Sequence, residues 1–141
     1  GVIAGLAAVA PAAGYVGPVG ALAIGITAGL LCYWGANGLK RRFGYDDSLD
    51  VFGVHGIGGI VGTLFTAVFA SSTFGGSMNN LNTWDQFVAQ TTGITVTAIY
   101  SGIVTFALVK IVDAMVGIRV TAEEESIGLD LSLHDERGFN L

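Results

Sequence analysis

One histidine stands where histidines are rarely found. His55 lies four positions into a stretch, residues 51–84, that holds no Asp, Glu, Lys or Arg, within the string DVFGVHGIGGIVG. A neutral imidazole offers one hydrogen-bond donor and one acceptor, and a surround of low dielectric disfavours the charged ring. Inside a membrane span an ionisable side chain reads first as functional. The bland alternative is an interhelical hydrogen bond that merely joins two helices. At helical spacing Gly58, Gly59 and Gly62 share a face with His55, and Gly56 adjoins it, so this face carries little side-chain bulk. Something approaches closely there: either another helix in a small-xxx-small contact, as Gly25 and Gly29 would also give, or a permeant in a pore. A nucleotide loop is a poor third, because Val61 stands where G-x-G-x-x-G needs its last glycine and no Walker lysine follows.

Three acids precede this stretch in YDDSLD. Asp46, Asp47 and Asp50, or Ser48 among them, are expected to accept from free backbone N–H groups at the positive end of the following helix. Paired carboxylates for hydrolysis would need another acid nearby in a polar cleft, and a nucleophilic set would need Ser, His and Asp together. The spans supply neither, so no enzyme chemistry is expected. A lone Cys32 in an apolar run permits no internal disulfide and no metal cluster, and reads as an inert buried thiol. No metal and no cofactor are expected.

These residues need helices that cross a bilayer. Of 141 residues, 52% are hydrophobic, 12% are charged and 22 are glycine, against a charged share of roughly a quarter in soluble domains. Too few polar side chains remain to clothe a wet surface, and an all-α membrane protein follows. Pro11, Gly14, Gly17 and Pro18 break the first uncharged stretch. The expected organisation is a membrane region over residues 1–117, with a partial helix at 1–10 and spans at about 19–39, 51–70 and 84–116. Thr83 is expected to cap the last span, with Trp84 at the interface and Asp85 in its first turn. Residues 1–10 look like the interior of a helix and show no signal peptide, so the chain is expected to be a piece of a longer one.

Charge distribution sets orientation. Lys40, Arg41 and Arg42 join the first two spans, Arg119 follows the third, and the loop SSTFGGSMNNLNT has no Lys or Arg. The basic ends are expected on the cytoplasmic side, making a multi-pass protein of the cell membrane with a cytoplasmic C-terminus. The net charge of −5 belongs to the last 22 residues, 120–141, within the expected cytoplasmic tail of residues 118–141, and no basic patch interleaved with aromatics exists, which excludes a nucleic-acid partner. That tail mixes Glu123, Glu124 and Glu125 with Ile127, Leu129, Leu131 and Leu133. Solvated disorder and docking, on the membrane region or on a soluble partner, are both open. His134 reads as a polar tail residue.

DDSLDVFGVHGIGGIVGT, the upstream GLAAVAPAAGYVGPVGALAIGITAGLLCYWG and the tail RVTAEEESIGLDLSLHDERGF together resemble the ammonium transporter (Amt/Mep/Rh) family. AVAPAAGYV is similar to its TPA-G-V element, DVFGVHG to the motif of the second of two pore histidines, and GLDLSLHDERGF to its GLD-HGE-AY tail. Ala10, Asp135 and Phe139 depart from the usual threonine, glycine and tyrosine. The resemblance implies a polytopic helix bundle, here its C-terminal portion with about three full transmembrane helices and part of a fourth. It implies an eleven-helix homotrimer for nitrogen uptake, conducting ammonium or ammonia through a hydrophobic pore. His55 would be the second pore histidine, and Asp47, Asp50, Gly56, Gly58, Gly59 and Gly62 would be structural residues near it. In the tail, Gly128, Leu129, Asp130, His134 and Glu136 would form a regulatory element where a PII-type signalling protein can dock. The alternative is an ammonium-sensing module that signals through its cytoplasmic tail.

Overall fold

The computed structural model describes residues 1–138; Phe139, one of the departures from the family's tail pattern, lies outside the described residues. The described residues are helical, with no strand among them, and three helices are long and apolar enough to cross a membrane: Pro18–Phe43, Phe52–Phe69 and Thr83–Val116. The chain divides into two compact units, Gly1–Thr97 and Ala98–Leu141, with the last of these helices running through the division.

In the first unit, α1 (Val2–Val9) ends in a 3-10 turn at Ala10–Ala12, and α2 (Pro18–Trp34) begins with proline in its first turn. Proline suits that place because its missing N–H would be unpaired there anyway. The buried residues of α2, Gly20, Ile24, Ala28 and Cys32, recur every four positions as one narrow stripe. The opposite face exposes Val19, Leu22, Ile26 and Leu30. A π segment at Gly35–Leu39 then carries the helix into α3 (Lys40–Phe43), so the first span runs past residue 39, where the sequence pattern places its end. The long basic side chains at its tip can hold their charges in water while their aliphatic stems lie against apolar surface. Gly44 closes it at φ 62, a left-handed conformation that glycine adopts without a Cβ clash.

A second π segment, Phe52–Gly56, leads into α4 (Ile57–Phe69). Helices α1, α2 and α4 pack against one another around Ala4, Ala8, Ala12, Ile24, Ala28, Cys32 and Val61. Among the described residues, Ile24 alone is a large side chain buried completely. Alanines at the contact let backbones come close, which is how helices associate where lipid removes the usual hydrophobic drive. The loop after α4, with a short turn at Ser72–Phe74, is tied back to the turn before α2: Ser77 N–H donates to the Tyr15 carbonyl at 2.9 Å and Ser77 Oγ to the Gly14 carbonyl at 3.3 Å.

Helix α5 (Thr83–Val116) has no buried residue. Its cap is Asn82, not Thr83 as the pattern suggested. The Asn82 Oδ1 accepts from the Trp84 and Asp85 N–H groups at 3.1 and 3.4 Å, which occupies the acceptor position one residue before the helix. In the second unit the later part of α5 ends at Val116, with Gly117 at φ 73 beyond it. Two short helices follow, α6 (Ala122–Ile127) and α7 (Leu129–His134).

Candidate functional site

The helix that carries His55 is started by Asp47. Its carboxylate accepts from the Val51 N–H at 2.8 Å and the Phe52 N–H at 2.9 Å, satisfying two of the donors that a helix start leaves free. Of the residues the sequence offers for this task, Asp46, Asp47, Ser48 and Asp50, it is Asp47 that takes it up. Asp46 and Ser48 instead point to solvent. Asp50, at φ 54, turns its carboxylate to the Lys40 ammonium at 2.7 Å. The Asp47 side chain reaches forward over the intervening turn, in which the Asp50 N–H donates to the Asp47 carbonyl at 3.2 Å. Beside the cap the Tyr45 and Phe52 rings meet edge to face, centroids 6.0 Å apart.

His55 lies in the π segment and is exposed on the first unit, and no side-chain hydrogen bond to it occurs among the described residues. The glycines expected beside it divide. Gly58 and Gly62 are buried and face the other way, into the helix packing. A Cβ on Gly58 would lie 3.4 Å from Cys32 Sγ and 3.6 Å from the Ala4 carbonyl oxygen. On Gly62 a Cβ would overlap the Ala8 carbonyl, whose carbon would be 2.7 Å away. Gly59 meets nothing within 4 Å, and Gly56 lies under the Phe52 ring, 2.9 Å from where its Cβ would be. The single shared face expected from His55 to Gly62 is therefore corrected to two. A π turn closes on i+5 instead of i+4, so one extra residue offsets the face before it from the face after it.

Neither π segment was visible in the sequence, and they pack against each other. A Cβ on Gly53 would lie 2.8 Å from the Ala36 nitrogen and 2.9 Å from its Cα, and one on Gly35 would overlap the end of Ile57, with Gly53 Cα at 3.4 Å. Cys32 is buried, and its thiol donates to the Val54 carbonyl at 3.6 Å, next to His55. Among the described residues no three of His, Cys, Asp or Glu converge in a way that could hold a metal ion.

The tail residues form an ordered pair of turns. Thr121 caps α6: its Oγ1 accepts from the Glu124 N–H at 3.3 Å, while the Glu124 carboxylate accepts from the Thr121 N–H at 2.8 Å. The side-chain bond from Thr121 Oγ1, with its backbone N–H second, holds the Glu124 carboxyl below its ordinary pKa. Arg119 reaches Glu125 at 3.0 Å. Gly128, at φ 99, separates α6 from α7, and the Asp130 carbonyl accepts from the Glu136 N–H at 2.9 Å. Leu129 and His134 begin and end α7. Ile127, Leu129, Leu131 and Leu133 are all exposed on this unit.

Comparison with known proteins adds the family. The chain matches the Ammonium Transporter Family over residues 1–139. It is 45% identical over 148 residues to the ammonium transporter of Bacillus subtilis, covering 99% of this chain and 35% of that protein. It is 44% identical over 142 residues to that of Aquifex aeolicus, covering 100% and 33%. With the ammonium transporter Amt1 of Archaeoglobus fulgidus the identity is 43% over 141 residues, covering 99% and 36%. The chain thus spans about a third of the length of the curated relatives it matches. A motif-bearing histidine span, three helices fit to cross a membrane and a match over nearly every residue agree: this chain belongs to the ammonium transporter family.

Proposed function

We propose that this chain is the C-terminal part of a protein that conducts ammonium or ammonia across the cell membrane, and that His55 is its contact with the permeant. One observation carries the reading. In a span of apolar residues the one ionisable side chain is held at an exposed position by a capped helix start, with no protein partner taking up its ring nitrogens among the described residues. An imidazole used only to join the helices of this unit would be turned inward among them.

The physical logic is that of a low-dielectric path. A full charge at the centre of a membrane helix costs about 2.5–3.5 kcal/mol on insertion scales. Such a path therefore favours ammonia over ammonium. A neutral imidazole can accept a hydrogen bond from the permeant or pass a proton, and it gives little to potassium or sodium, which need cages of oxygen atoms. The remaining wall, a partner histidine included, belongs to the rest of the protein, assembled as a homotrimer. The Lys40–Arg42 end and the tail face the cytoplasm. The exposed aliphatic residues of α6 and α7 favour docking over solvated disorder, with a PII-type protein as the partner. They also leave room for the second reading, in which the tail reports ammonium to a signalling module.

His55→Ala in the full-length protein, reconstituted in vesicles, tests the reading. Loss of selective ammonium conduction from an assembled oligomer is expected, and unchanged flux and selectivity would reject the role.

A further inference from the structure

We infer that Gly53 and Gly35 are positioning residues for His55, acting through the crossing of the two π segments. The inference rests on the pore reading of His55 and goes beyond it by naming what aims the ring.

Gly53 is buried against the neighbouring helix, and two positions later His55 is exposed. Two residues along a helix turn it by roughly half a revolution. The side of the turn that touches the Gly35–Leu39 segment therefore fixes the side from which the imidazole projects. The contact is backbone on backbone. A Cβ at Gly53 would stand 2.8 Å from Ala36 N, 2.9 Å from Ala36 Cα and 3.1 Å from Ala36 Cβ, so none of the nearest atoms is a flexible side-chain end. Rotating the Phe52–Gly56 segment about its axis would bring the flanking side chains of Phe52 or Val54 into this slot. The crossing is thus compatible with one rotation only.

The two glycines differ in a way that makes the inference testable. At Gly35 the first atom a methyl group would meet is Ile57 Cδ1, the mobile end of a side chain, with Gly53 Cα next at 3.4 Å. Ile57→Val removes that atom. Gly35→Ala alone should therefore disturb the crossing, and Gly35→Ala with Ile57→Val should restore it. Gly53→Ala presses on main chain and has no such remedy. Two further features hold the turn on the same side: the Asp47 carboxylate on the Val51 and Phe52 N–H groups, and the Cys32 thiol on the Val54 carbonyl.

The test uses the full-length protein in vesicles. Ammonium flux per folded oligomer, the ammonium-to-potassium ratio and the pH profile of flux are compared for wild type, Gly53→Ala, Gly35→Ala, Gly35→Ala with Ile57→Val, and His55→Ala. Ring displacement of about an ångström should cost on the order of tenfold or more in flux or selectivity. That loss is expected for Gly53→Ala and Gly35→Ala, with recovery in the double variant. A merely structural role would lower the yield of oligomer and leave the ratio and pH profile of the surviving protein as they were. That outcome overturns the inference, as does failure of Ile57→Val to rescue, which decides the matter even if Gly53→Ala does not fold. Impairment by His55→Ala with both glycine variants normal defeats the positioning alone, whereas a normal His55→Ala defeats the pore reading on which it rests.

Discussion

The Lys40 ammonium meets the Asp50 carboxylate at 2.7 Å, tying the tip of one membrane helix to the residue just before the next. Their side chains are 31% and 42% exposed, so water and salt screen the pair and it contributes little to stability. Asp50 also holds φ 54, a conformation that costs a residue with a Cβ. Lys40→Ala should lower stability slightly, and the loss should shrink in high salt. Asp50→Ala loses the pair and keeps the strained backbone, while Asp50→Gly loses the pair and relieves it. Thermal unfolding of the full-length protein in detergent should therefore rank Asp50→Gly above Asp50→Ala; the reverse order would show that the backbone conformation is not a cost.

Asp47 caps through its oxygens, and an asparagine oxygen caps about as well as a carboxylate. Asp47→Asn should therefore be mild and Asp47→Ala should cost about 0.5–2 kcal/mol, because the Val51 and Phe52 N–H groups lose their acceptor. Unfolding midpoints of the two variants check this. Equal losses would mean that the negative charge, not the cap, is what the helix start uses.

Much of this fold could be read from residue type, and the reasons for success and failure are physical. Three apolar spans announce themselves by length and by the scarcity of charge, kept to their ends, which burial in lipid demands. The break before Pro18 follows from proline and glycine chemistry. The π segments left no mark, because a shift from i+4 to i+5 bonding changes hydrogen-bond register without needing any particular residue. That one shift is why His55 and Gly62, in step on an ideal helix, occupy different faces here. Capping was legible as a chemistry more than as a position: Asp47 caps where Asp46, Ser48 and Asp50 were equally on offer, and Asn82 does what was expected of Thr83. The deciding factor was how far each loop residue stood from the first free N–H.

Gly62 and Gly59 form a pair of opposite expectations on one helix. A methyl group on Gly62 meets the Ala8 carbonyl carbon at 2.7 Å and Cα at 3.1 Å, so α1 and α4 must separate. Overpacking of this kind costs about 1–3 kcal/mol. Gly59→Ala meets nothing within 4 Å in this unit and removes glycine from a helix interior, so its own backbone effect is favourable by about 0.5–1 kcal/mol. Unfolding of the full-length variants distinguishes the cases. A stable Gly62→Ala would contradict the close α1–α4 contact, while an unstable Gly59→Ala would reveal a neighbour supplied by the remainder of the protein.

The start of α6 should respond to acid with a definite sign. Hydrogen bonds from Thr121 Oγ1 and N–H favour the ionised Glu124 carboxylate and lower its pKa in the folded helix. A group with a depressed folded pKa contributes stability above its unfolded value, about 4.3 for glutamate, and that contribution is lost as pH falls through the lowered value. Acidification below the ordinary glutamate range should thus loosen the Thr121–Glu125 turn, read as weaker protection of the Glu124 and Glu125 amides, which bond to Thr121 Oγ1 and to the Thr121 carbonyl. Glu124→Gln keeps an acceptor for the Thr121 N–H and removes the titrating proton. It should preserve the turn near neutral pH and flatten the contribution of this site to the acid response. Thr121→Ala should weaken the turn at every pH, since the Glu124 N–H loses its partner. If wild type and Glu124→Gln loosened in parallel on acidification, the titrating group would have to be sought among the other acids of the tail, beginning with Glu125, which holds Arg119.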